Sequence, residues 1–310
     1  MNKRALITLV TLVVYALVLA PRGSVAQETA QGVKSNFGND PFITPSLQKA
    51  FQAWNRPMKP FAVVSNIYYV GAVGVSSFLI TTPKGHILLD TGFDSTVPII
   101  RENMRQLGLK VEDIKILLSS HAHIDHVGGH AGMKKLTKAK IMMSRADAEL
   151  FESGGMKDYF NVGSYPTARV DRILQDGDTV ELGGTKLVCH LTPGHTKGCT
   201  TWTMETMTEG KVQHVLFYGS TTVPSGAPLV NNSKYPNIAE DYLASFEKLK
   251  KLPCDIFLAP HASFFGLAEK AARVEKGEKP NPFIDPAEYG EMLRKAEKSF
   301  REQLAAGKGN

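Results

Sequence analysis

The stretch SSHAHIDHVGGH, Ser119 to His130, brings three imidazoles and one carboxylate within six residues at His121, His123, Asp125 and His126. It follows the apolar run Ile114 to Leu118, which reads as a buried strand. Residues two apart in an extended turn point to one side, so His121 and His123 can close on one ion. Asp125 and His126, nearer the start of the next helix, can aim at a second. Neutral imidazoles with one carboxylate suit zinc, at bond lengths of roughly 2.0 to 2.2 Å. A solvated polar turn would not concentrate four such groups.

Two protein ligands make a weak zinc trap, so the reading requires distant partners. Thr192-Pro193-Gly194-His195-Thr196 follows the strand-like run Lys186 to Leu191, which places His195 on a loop at a strand end. Ala259-Pro260-His261-Ala262-Ser263 follows Ile256 to Leu258 and gives His261 the same setting. Catalytic groups commonly converge in this way from loops on a rigid scaffold. His86, His130, His190 and His214 lack that setting and are read as structural.

The chain of 310 residues, 43% hydrophobic, is ample for a core. Met1 to Ala26 is a class apart: Lys3 and Arg4 precede the apolar run Ala5 to Ala20, and Ser24-Val25-Ala26 supplies a small-x-small end. We read residues 1–26 as a secretory signal, and residues 27–310 as a single domain exported to the periplasm without stable membrane insertion. The apolar run is 16 residues, short of the roughly 18 expected of a span. Without that segment the formal charge falls from +6 to +3, with 33 basic residues against 30 acidic. No lysine and arginine cluster is interleaved with aromatics, so nucleic-acid binding gains no support. An oxidising compartment permits disulfides, and Cys189, Cys199 and Cys254 allow at most one intrachain bridge or three unpaired thiols.

The pattern along the chain is mixed α/β. Pro45 to Trp54 predicts a short helix with Leu47, Phe51 and Trp54 on one face, an aromatic arm able to cover a cleft. Strands are expected in the run from Phe61 to Gly71, in GVSSFLITT and in GHILLD, the last ending at Asp90. Helices are expected over Val97 to Leu107 and Val127 to Leu136, then a strand from Ile141 and a helix from Arg145. Four further strand-like runs lie between Thr179 and Tyr218, and a helix over Ile238 to Leu252 precedes the strand Ile256 to Leu258. Asp285-Pro286-Ala287-Glu288 starts a terminal helix with a capping Asp, a first-turn Pro and a Glu three residues on.

HxHxDH combined with TPGHT resembles the metallo-β-lactamase superfamily over residues 46 to 305. The resemblance implies a four-layer αβ/βα sandwich of two similar halves, with the metals between the sheet edges. In hydrolases such as glyoxalase II, the strand matching Val215 to Tyr218 is followed by Gly-Asp, whose carboxylate bridges the metals. Here the residues are Gly219-Ser220. That departure, with GHTKGCTTW, TPKGHILLDTG and APHASFFG, is similar to class B, subclass 3 β-lactamases. The other broad-activity dizinc subclass has Cys at the position of Ser220.

The resemblance implies that His121, His123 and His195 bind a first zinc, and that Asp125, His126 and His261 bind a second. Asp125 would also orient the nucleophile. Ser220 would hold a water or meet the substrate carboxylate, with help from Thr222, and Asp90 would support ligands from behind. The implied activity is opening of β-lactam rings in penicillins, cephalosporins and carbapenems by a zinc-bound hydroxide, and with it antibiotic resistance. A dizinc thioesterase or lactonase is the alternative. Water is the cosubstrate, and a monomer is expected.

Overall fold

Strand β5 carries the signature stretch, and the sheet around it decides where the histidines point. The computed structural model describes Asp40 and residues 43–308, so the reading of residues 1–26 lies outside the described residues. The first sheet runs in chain order: β1 (Phe61–Val64), β2 (Ile67–Tyr69), β3 (Phe78–Thr82), β4 (Gly85–Leu89), β5 (Ile114–Leu118), β6 (Lys140–Ser144) and β7 (Arg172–Leu174). Pairings up to β4 are antiparallel and those from β4 onward are parallel. Parallel neighbours need a crossover. The helices α2 (Val97–Gln106), α4 (His130–Thr137) and α5 (Arg145–Glu152) lie in these connections; α1 (Pro45–Trp54) precedes the sheet, and the short α3 (Ile124–Val127) precedes α4.

The second sheet has the order β12-β11-β10-β9-β8. Its strands are β8 (Thr179–Leu182), β9 (Thr185–Leu191), β10 (Thr200–Thr208), β11 (Lys211–Phe217) and β12 (Ile256–Leu258). Only the β11 to β12 pairing is parallel, and α6 (Ile238–Leu249) lies in that connection. Helices α7 (Leu267–Glu275) and α8 (Pro286–Lys308) complete the order.

Side chains alternate across a strand, and here the alternation sorts two cores. Ile87, Leu89, Ile116 and Leu118 pack with Leu187, Trp202, Val215 and Phe217 between the sheets. Leu88 and Leu117 point the other way, to Ile100 and Met104 of α2, Met133 of α4 and Phe151 of α5. Behind the second sheet, Phe300 of α8 stacks near Tyr242 and Phe246 of α6, with ring centroids 5.0 and 5.6 Å away. The result is four layers, helices on each outer face of two stacked sheets. Burying each such side chain contributes roughly 1.5–3 kcal/mol, so strand seating fixes the scaffold from which the loops project.

Two expectations need correction. The run from Phe61 to Gly71 is a hairpin, turned at Ser65-Asn66 with Ser65 at φ 47°. The helix expected from Val127 to Leu136 is broken between α3 and α4, because Gly128 and Gly129 lie against the backbone of residues 91 to 94. A Cβ at Gly129 would sit 2.8 Å from the Thr91 carbonyl oxygen. Strand β7 and helix α7 add to the expected elements, although Leu267, Ala271 and Val274 recur at helical spacing in α7. All three cysteines are free thiols. Among the described residues, no helix is long and apolar enough to cross a membrane.

Candidate metal centre

Each chemically notable side chain lies just past the C-terminal end of a strand. His121 and His123 follow β5, Asp125 and His126 lie in α3 beyond them, His195 follows β9, Ser220 follows β11 and His261 follows β12. The structure gathers these side chains into two groups, His121 with His123 and His195, and Asp125 with His126 and His261. Within each group the candidate ligand atoms all lie within 4.8 Å of one another, close enough to hold a metal ion.

The hydrogen bonds behind the rings show which nitrogen is left for an ion. His195 Nδ1 donates to the Thr222 carbonyl at 2.7 Å, which leaves Nε2 with a lone pair. His123 Nε2 lies 3.1 Å from Asp158 Oδ2, so its free lone pair is on Nδ1. His121 Nδ1 lies 3.1 Å from Ser120 Oγ, whose hydroxyl donates to Asp90 Oδ2 at 2.7 Å. The Nε2 atom of His121 is buried without any partner. His126 Nδ1 faces Asp90 Oδ2 at 3.3 Å, and His261 hydrogen-bonds the Gly74 carbonyl. The first three imidazoles are thus held from behind by hydrogen bonds, and an acidic or carbonyl oxygen stands behind His126 and His261, the arrangement expected of metal-ligating histidines.

In the second group His126 Nε2 is 3.3 Å from His261 Nε2, and Asp125 Oδ2 is 3.3 and 3.4 Å from those nitrogens. Tetrahedral bonds of about 2.0–2.1 Å require ligand atoms about 3.3–3.4 Å apart. The triangle already has that size. The rings of the first group are mutually steep, with centroids 4.5 to 4.9 Å apart, so they meet by their edges rather than by stacking. The donor sets and their spacing fit divalent metal ions.

Burial and the neighbouring histidines hold the His121 imidazole well below its ordinary range, and burial does the same to His195. His261 is lowered to about 4 by burial and by His126. Burial also opposes a charge on His126, but the Asp125 and Asp90 carboxylates outweigh it and push the ring up to about 10. Asp125 suffers the same desolvation, yet His126 holds it well below the usual carboxylate range. Buried acid and base offset each other here, a role a metal ion would take over.

Asp90 ends β4 at φ 59°, its side chain accepting from the backbone N–H and the hydroxyl of Ser120, both at 2.7 Å. Ser220 is 2% exposed, and its hydroxyl accepts from Thr222 N at 3.2 Å and meets Thr222 Oγ1 at 3.0 Å. Thr222 is exposed and lies against His195 through its carbonyl and, at 3.2 Å, its hydroxyl. Trp54 meets the His261 ring edge-on at 5.0 Å, with Phe264 beside the same ring at 5.4 Å. The aromatic arm expected at residues 45–54 therefore frames one candidate ligand. His86, His130, His190 and His214 join neither group. His130 is instead bonded to Thr91, His190 to Thr203 and His214 to Asp255.

Sequence reasoning missed Asp158 and Asp147. Asp158 sits in a loop without periodicity, and nothing in the chain announces that it reaches His123. Asp147 carries a local signal, a Ser144-x-x-Asp147 helix start. That signal locates α5 but gives no hint of the carboxylate's contacts, to Ala122 N at 2.9 Å and Gly198 N at 3.1 Å. Burial pushes Asp147 up to about 6, partly offset by the Thr196 hydroxyl, His123 and the Ala122 N–H.

Fold and site together define a two-sheet sandwich that carries two candidate divalent-metal sites at its strand ends. The family model of the metallo-beta-lactamase superfamily matches residues 70–261, and the chain belongs to that superfamily. It is similar to the solved structure of native FEZ-1 metallo-beta-lactamase from Legionella gormanii, with 42% identity and a TM-score of 0.81 over 83% of this chain and 99% of that one. BJP-1, a subclass B3 metallo-beta-lactamase of Bradyrhizobium japonicum, is similar at 38% identity and a TM-score of 0.79, over 84% of this chain and 98% of that one. A hydroxyacylglutathione hydrolase of Polaromonas sp. is 33% identical over 145 residues, 46% of each chain. The chain spans only 34% to 63% of the length of the first three curated relatives it matches.

Proposed function

We propose that this protein is a zinc-dependent β-lactam hydrolase of the subclass 3 type, exported to the periplasm, monomeric, and able to confer resistance to penicillins, cephalosporins and carbapenems. His121, His123 and His195 would hold one zinc ion, and Asp125, His126 and His261 a second. The observation that carries the lactam reading is the residue after β11. Gly219-Ser220 stands where glyoxalase II-type enzymes have Gly-Asp, and Asp125 is the only carboxylate in either group among the described residues.

When bound, zinc lowers the pKa of a coordinated water to about 7 and polarises a carbonyl as a Lewis acid. The chain's own groups do the rest. Asp125 turns Oδ2 toward His126 and His261, which leaves Oδ1 to orient the attacking water and accept its proton. A C–O bond forms at the lactam carbonyl, the C–N bond breaks, and the ring nitrogen takes a proton. The exposed Thr222 hydroxyl, supported by Ser220, meets the carboxylate that lactam antibiotics carry beside the ring. Three protein ligands per ion leave an open position, as catalytic zinc requires.

The similarity to a hydroxyacylglutathione hydrolase favours a second reading, hydrolysis of thioesters. The deciding experiment gives the purified, zinc-loaded protein a carbapenem, a penicillin and a glutathione thioester in parallel. Ring opening is expected, abolished by a chelator and unaffected by inhibitors of serine β-lactamases. Thioester turnover with intact lactams would replace the first reading with the second.

A further inference from the structure

The first group is assembled from two loops that leave different sheets, one after β5 and one after β9. A single helix end grips both. Ser144, the residue before α5, accepts from Asp147 N at 3.3 Å and donates to the Gly198 carbonyl at 2.7 Å. Asp147 Oδ1 accepts from Gly198 N at 3.1 Å, so both polar backbone atoms of Gly198 are held. The other carboxylate oxygen, Oδ2, accepts at 2.9 Å from the N–H of Ala122, the residue between His121 and His123. Gly198 has to be glycine here, because a Cβ would overlap Ser144 Oγ and Asp147 N.

We infer that Asp147 is a positioning residue for the first metal: its two carboxylate oxygens clamp the His121–His123 turn to the His195 loop and so set the spacing of the three imidazoles. The inference rests on the proposed zinc-binding role of that group. Asp147 acts on the two loops through the backbone N–H groups of Ala122 and Gly198. The requirement is for a twin acceptor. Asparagine offers one oxygen and one NH2, so either Ala122 N–H or Gly198 N–H would face another donor and the loops would part. A buried donor left unpaired is destabilising, so the altered loop would move to relieve it. The second group has its own supports, Asp90 behind His126 and Asp125 beside His126 and His261, and should be spared.

The test is a competition titration of zinc against a chromogenic chelator. Wild type, Asp147→Asn, His121→Ala and His261→Ala are compared, the two histidine variants identifying which binding step belongs to which group. Asp147→Asn is expected to weaken the step lost in His121→Ala by about 10–100-fold, the usual scale for groups that orient ligands, and to leave the other step within about twofold. Wild-type affinity at both steps, or equal weakening of both, would overturn the inference. If Asp147→Asn does not fold, Asp147→Glu is titrated instead; its carboxylate keeps two acceptors but displaces them, and the same selective loss is expected. Wild-type protein that binds no zinc at all would defeat the proposed function rather than this inference.

Discussion

The two groups of candidate ligands are built on opposite plans. The first has three imidazole rings, two from one loop and one from the other sheet, with Asp158 and Asp90 behind the rings and Asp147 bonded to the backbone of their loops. The second carries its own anion, Asp125, and its distant member His261 is only partly buried, framed by Trp54 and Phe264. An ion in the first group is neutralised by acids held one bond network away. In the second it would be neutralised directly. Geometry should therefore limit the first group and charge the second.

The largest effect should follow removal of both ions. Zinc bound only by the folded state stabilises it by mass action, about 4 kcal/mol per site when the free ion is a thousandfold above its Kd. Chelation is expected to abolish turnover and lower the thermal midpoint, with both restored by zinc. A midpoint and a rate indifferent to demonstrated zinc removal would dissolve the comparison altogether.

Asp125→Asn tests the charge limit. The side chain keeps its shape and loses its anion, so the second binding step should fail while the first survives. Turnover is expected to fall by more than about a hundredfold, beyond what loss of an orienting group costs, in a protein that still folds. Near-normal rates in the purified variant would mean that the second group does not depend on its carboxylate.

Among the described residues Asp90 is the one support the two groups share, directly behind His126 and through Ser120 behind His121. Asp90→Asn should therefore weaken both zinc steps, each by about 10–100-fold, unlike the selective loss expected at Asp147. Its backbone is left-handed at φ 59°, which Asn tolerates and Ala does not. Asp90→Ala should add a fold-stability loss of about 1–2 kcal/mol to the same binding defect, readable by denaturant titration of the metal-free proteins. Selective loss at one step alone would show that the Ser120 relay carries nothing.

The two plans were unequally legible in the sequence. His121, His123, Asp125 and His126 declare themselves by spacing, and His195 and His261 by shared context after apolar strands. The four-layer fold came from resemblance, and the structure bears it out. What could not be read was whatever depends on chain segments meeting. Asp147 looks like any first-turn acid, and its bonds to Ala122 and Gly198 exist only once the loops after β5 and β9, from the two sheets, meet in space. Asp158 is hidden for the same reason. The break between α3 and α4 was overlooked because Gly128 and Gly129 sit inside a helical pattern. Only their approach to residues 91 to 94 explains why the helix stops and restarts.

The smallest effect is expected at Trp54, and it sharpens the comparison from the second group's side. The indole meets His261 edge-on at 5.0 Å and is seated by its own backbone, since Gly74 N donates to the Trp54 carbonyl at 2.8 Å and a Cβ at Gly74 would lie 2.7 Å from the indole. An aromatic pair of this geometry contributes about 0.5–1.5 kcal/mol beyond its buried area, or about a two- to tenfold change in a binding constant. Trp54→Ala should weaken the second zinc step by that factor and leave the first unchanged, because no ring of the first group touches the indole. If charge dominates the second group, this loss stays well below that of Asp125→Asn. A Trp54 effect as large as that of Asp125 would mean that ring placement limits both groups alike, and the contrast between a geometric and an electrostatic site would fail.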